Sequence, residues 1–73
     1  MLLYKNRNMM LELYMRDLQN AVFRRPAVYG EGYEYIFAHG VNWDEAKQEV
    51  SWQEGTYGLT EYHARKMFKR FLY

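Results

Sequence analysis

A chain of 73 residues, 49% of them hydrophobic and 19% aromatic, makes one domain, 1–73, whose small core large rings can close. It has no cysteine, which excludes disulfides, a thiolate nucleophile and a cysteine zinc site. The net charge of +1 conceals two basic ends, 1–30 and 62–73, around an acidic middle, 31–61.

Asn6 or Asn8 can cap a first helix over 8–24. Leu11, Tyr14, Leu18, Ala21 and Val22 form its apolar stripe, supported by Met15. Glu12 and Arg16 stand four apart in the favourable order, and Pro26 ends the helix by pushing its predecessor out of α geometry. Residues 27–41 fit two forms. Glu31 can open a short helix over 31–39 that Gly40 closes. Alternatively a hairpin over 28–37 turns at Gly30-Glu31-Gly32, with Tyr33, Tyr35 and Phe37 alternating on one face.

Asn42 followed by Glu45 is a capping-box pattern that opens a helix over 43–53, with Trp43, Ala46 and Val50 on one side. The stretch from Val50 to Leu59 also reads as a small hairpin that resembles the wing of a winged helix. Thr60 then caps a helix over 60–72, on which Ala64, Met67, Phe68, Phe71 and Leu72 recur at helical spacing. The fold class expected is therefore mainly α, a compact domain of three to four helices. An α+β form with a small hairpin is the alternative. Phe68, Phe71, Leu11, Leu18 and Val22 are expected to share one core.

No catalytic motif stands out. His39 and His63 belong to no metal-ligand spacing, and Glu61 and His63, two apart on a helix, do not face each other. Gly30-Glu31-Gly32 lacks the lysine and the longer glycine pattern of a phosphate loop, and Ser51 has no base near it. A non-enzymatic protein is expected, with no metal, no cofactor and no small-molecule substrate. No apolar run reaches membrane-spanning length, and the first residues are too few for a signal-peptide core, so a soluble, cytoplasmic protein is expected.

Half of the aromatic residues lie between Tyr29 and Tyr57, interleaved with acids. Rings set among carboxylates suit docking onto a basic protein surface, the rings as anchors and the acids as steering groups. Tyr33, Glu34, Tyr35, Trp43, Asp44, Glu45, Glu49 and Trp52 are the candidate partner-binding residues. On this reading the chain is a small regulatory or inhibitory binding protein, and a nucleic-acid-binding protein is one partner whose surface would fit. The other reading is a DNA- or RNA-binding regulator. It would use Arg65, Lys66, Lys69 and Arg70, which fall between the apolar positions of the last helix. In size, aromatic richness and lack of a catalytic motif the chain resembles small phage-encoded regulators and inhibitors, a likeness of class that transfers no residues.

Overall fold

In a computed structural model, which describes residues 2–71, the chain forms five strands and one helix. The strands are β1 (Leu3–Asn6), β2 (Met9–Arg16), β3 (Asn20–Pro26), β4 (Tyr33–Asp44) and β5 (Glu49–Leu59), followed by the helix α1 (Glu61–Arg70). Consecutive strands pair antiparallel, and the last returns to the first to close a barrel. Five is an odd number, so β1 and β5 must run parallel. They meet at one register pair, Lys5 with Glu49. There the Lys5 N–H donates to the Gln48 carbonyl at 2.8 Å, and Asn6 Nδ2 donates to the Val50 carbonyl at 2.8 Å.

The mainly α fold is thus overturned. Residues 8–24 form β2, a turn and most of β3, while 31–39 and 43–53 fall largely in β4 and β5. The turn through Gly30 and Gly32, both at positive φ, joins strands Asn20–Pro26 and Tyr33–Asp44 in place of a hairpin confined to 28–37. A helix does stand at the C-terminal end. Thr60 caps α1, its hydroxyl accepting the His63 backbone N–H at 3.2 Å. Leu72, expected on its apolar face, lies outside the described residues.

The reason is burial on two sides. Asn20, Ala21, Val22 and Phe23 of β3 are all buried. Ala21 and Phe23 face the barrel interior, whereas Val22 faces outward beneath α1. β4 repeats the arrangement, with Ile36 and Ala38 inside and Tyr35 and Phe37 under the helix. A strand covered on both faces loses the polar–apolar alternation that marks a half-buried one. In β2 the register shifts between Leu13 and Met15. Leu11 and Leu13 therefore pack into the barrel and Tyr14 and Met15 against the helix-side cluster, and the broken alternation imitates a helical stripe. Leu18, the middle of that stripe, is 95% exposed in the β2–β3 turn.

The single core expected of Phe68, Phe71, Leu11, Leu18 and Val22 is divided. Leu11 belongs to the barrel interior, where Phe23 meets the rings of Tyr4, Trp43 and Trp52 at 6.3, 5.8 and 5.6 Å between centroids. Val22, Tyr35 and Phe37 form the outer cluster with Ala64 and Phe68 of α1. Phe71 is 39% exposed and stacks on Phe37.

Two polar devices hold these layers. Asn20, wholly buried, donates from Nδ2 to the Phe71 carbonyl at 3.2 Å and accepts at Oδ1 from His39 Nδ1, tying the end of α1 to β3 and β4. At the β4–β5 turn, Asp44 Oδ1 accepts the Lys47 N–H at 3.2 Å and Gln48 takes φ 53. Of the residues that read as a helix cap, Asn42 pairs with Ser51 in the ladder and the Glu45 carboxylate takes the Tyr4 hydroxyl, while Asp44 between them serves the turn, as side chains of this type do. Among the described residues no helix is long and apolar enough to cross a membrane.

Candidate functional site

The basic N-terminal block and the acidic middle are joined by ion pairs. Arg25 meets Glu34 at 3.0 Å and Arg16 meets Glu45 at 3.1 Å, while within the basic block Arg24 meets Glu12 at 2.7 Å. The arginines also use the rings. The Arg16 guanidinium lies 3.6 Å over Trp43, and that of Arg24 lies 4.4 Å over Tyr33. Arg24 donates to the hydroxyl of the buried Tyr35 at 3.3 Å, and its bonds to Glu12 and Tyr35 hold its pKa above the ordinary value. Four expected partner-binding residues, Tyr33, Glu34, Tyr35 and Glu45, are thereby engaged within the molecule.

Tyr4 fixes the other end of this network. Its ring is wholly buried and its hydroxyl donates to Glu45 Oε1 and Oε2 at 3.0 and 2.9 Å. Burial first, and the Glu45 carboxylate second, raise its pKa above the usual 10.0. The unfolded chain therefore ionises Tyr4 first. Its contribution is whole below about pH 10 and is lost as pH climbs toward the raised value. Tyr4→Phe is expected to flatten the alkaline limb of the urea midpoint plotted against pH. An alkaline limb of undiminished steepness in that variant would place the sensitivity elsewhere.

The open feature is the seam where the barrel closes. β1 turns away after Asn6, through Arg7 at φ 55, so no described strand pairs with the outer edge of β5 from Ser51 to Leu59. Two adjoining hollows of about 450 and 330 Å³ lie along it and share Asn6, Arg7 and Ser51. Lys5, Trp43, Asp44 and Glu49 line the first. Met9, Trp52, Gln53 and Tyr57 line the second. One face of Trp52 stacks on Phe23 inside the barrel, and its indole N–H donates to the Tyr57 hydroxyl at 3.1 Å. A Cβ on Gly55 would stand 2.6 Å from that indole nitrogen, so only glycine lets the ring lie across the strand. The result is an aromatic step anchored from within.

The fold thus gathers Trp43, Asp44, Glu49 and Trp52 along the seam. Tyr33, Glu34 and Tyr35 stand with Arg24 and Arg25, and Glu45 stands with Tyr4 and Arg16. Arg7 and Tyr57, which sequence reasoning passed over, complete the groove. Asn6 and Asn8 read as caps of a first helix, and nothing local shows that they flank a turn at Arg7 beside an unpaired edge.

On α1, Arg65, Lys66, Lys69 and Arg70 are all exposed. Arg65 lies 3.8 Å from Glu61, and Lys66 stands 5.0 Å over the Tyr62 ring. Lys66, Lys69 and Arg70 form no ion pair among the described residues. Nor does any group of three His, Cys, Asp or Glu among the described residues come together to hold a metal. Comparison with protein-family models, with curated proteins and with solved structures returns no match.

Proposed function

We propose that the chain is a small non-enzymatic binding protein that docks on a protein partner through the β1–β5 seam and regulates or blocks that partner by covering it. The observation that supports this reading is the unpaired edge of β5 beside the Trp52–Tyr57 step. A bare strand edge offers a row of backbone donors and acceptors to another chain. Rings held rigidly at such an edge give contact area at low entropic cost. Asp44 and Glu49 stand against Lys5 and Arg7 at the first hollow, a lining of mixed charge that suits a polar residue of the partner.

Both tryptophans of the chain line the seam, so their emission reports occupancy. The test is to select binders from a displayed peptide library and titrate them against the full chain. Binding is expected to shift the emission, and Tyr57→Ala, at a residue 51% exposed, is expected to weaken it by about 2 kcal/mol with an unchanged melting temperature. Binders that leave both the emission and the Tyr57→Ala affinity untouched would defeat the reading.

A second reading is favoured by Lys66, Lys69 and Arg70, which form no ion pair among the described residues while Arg16, Arg24 and Arg25 are engaged. If that face binds nucleic acid, the logarithm of affinity falls with that of salt by about 0.9 per phosphate neutralised. Alanine at Lys69 and Arg70 is then expected to flatten the slope by about two units. No anisotropy change with labelled single-stranded or duplex DNA at low salt removes this reading.

A further inference from the structure

We infer that the ligand of the second hollow is the C-terminal end of a protein chain, added as a strand antiparallel to β5 with its carboxylate at Arg7. The inference rests on the seam being a protein-binding site, and it names the kind of segment that binds there. Three observations carry it.

The first is the shape of the vacant lane. β1 occupies the place beside β5 only as far as the Asn6–Val50 hydrogen bond, and the turn at Arg7 then closes that end. From Ser51 onward the lane is free and runs out past Tyr57. A strand lying in it is stopped at Arg7, so a chain end fits where a continuous segment would have to bend away.

The second is charge. Arg7 is the one charged residue lining the second hollow, and it forms no ion pair among the described residues. A guanidinium fork donates two parallel hydrogen bonds to a carboxylate and repels an ammonium group. β5 leads away from the blocked end. An antiparallel strand therefore brings its C-terminus to Arg7, and a parallel one would bring its N-terminus. The cation selects the first.

The third is the remainder of the lining. Met9, Trp52, Gln53 and Tyr57 are uncharged, so the residues preceding the carboxylate are uncharged and meet apolar or aromatic surface. Glu54, the only charge on β5 after Glu49, pairs across the ladder with His39, whose ring packs beside Phe71 under the end of α1. It does not oppose an incoming carboxylate from within the groove.

The test uses the full chain and two pools of seven-residue peptides randomised among uncharged residues, one with free carboxylates and one amidated. Affinity selection is expected to retain peptides from the free-acid pool, with amidation of the best binder weakening it about ten- to hundredfold. Arg7→Gln is expected to abolish that difference. Methylation of single backbone nitrogens along the peptide is expected to weaken binding at every second position, as strand pairing requires. Equal retention of both pools, with tryptophan emission still shifted, would overturn the carboxylate assignment and leave the protein-binding seam standing. Retention of neither pool by the folded chain would remove both. A concentration-dependent dimer in sedimentation, dissolved by Gln53→Pro, would make the occupant a second copy of this chain and likewise overturn the proposal.

Discussion

Phe23→Ala is expected to destabilise the domain by about 3–5 kcal/mol, close to the whole stability of so short a chain. Phe23 is wholly buried at the centre of the barrel, with the rings of Tyr4, Trp43 and Trp52 around it. Its strand is covered by the barrel on one side and by the helix-side cluster on the other, so the site cannot collapse to fill the void. The urea midpoint followed by tryptophan emission measures the effect, because two of the lost contacts are to the reporting rings. Leu18→Ala is the companion measurement. On a helical stripe Leu18 would be as costly as its neighbours. In the β2–β3 turn it faces water, and the change should stay within about 0.5 kcal/mol. Comparable losses for the two variants would refute the barrel interior described here.

Phe68→Ala is expected to cost about 3–5 kcal/mol by a different route. Phe68 and Ala64 are the buried residues of α1, and they press on Val22, Tyr35 and Phe37 from outside the closed barrel. Losing that grip uncovers apolar surface on β3 and β4 while the interior around Phe23 stays filled. Helical ellipticity should therefore melt below the transition seen by tryptophan emission, with binding of a hydrophobic dye in the interval between. A single transition at the wild-type temperature in both signals would show that α1 is held by something other than Phe68. The Asn20 bond to the Phe71 carbonyl and the stacking of Phe71 on Phe37 are further tethers of that end.

The helix α1 was legible because its chemistry is local. Thr60 satisfies the first free amides, cations follow in the last turns, and one face alone is apolar. The strands were not, since what defines them lies elsewhere in the chain. Val22 and Tyr35 are apolar because a helix far later in the chain covers them, which erases the alternation a strand would otherwise show. The bulge in β2 and the capping-like Asn42 to Glu45 then supplied false helical signals. The site divides the same way. Trp43, Asp44, Glu49 and Trp52 could be named as aromatic and acidic residues in one stretch, yet only the closure of the barrel lays them along a seam. Arg7 joins them because of where a strand stops, and Tyr35, named beside them, is core.

The parallel pairing of Lys5 with Glu49 has a kinetic side. Every other strand contact joins neighbours along the chain, whereas the one between Asn6 and Val50 spans 44 residues. Closing so long a loop costs entropy that few contacts repay, so the antiparallel meander from β1 to β5 should zip first and the β1–β5 seam should close last. The native molecule retraces that order when it breathes. The Lys5 amide is expected to exchange with solvent through an opening far cheaper than global unfolding, and each such opening extends the bare edge of β5 back from Ser51 to Glu49.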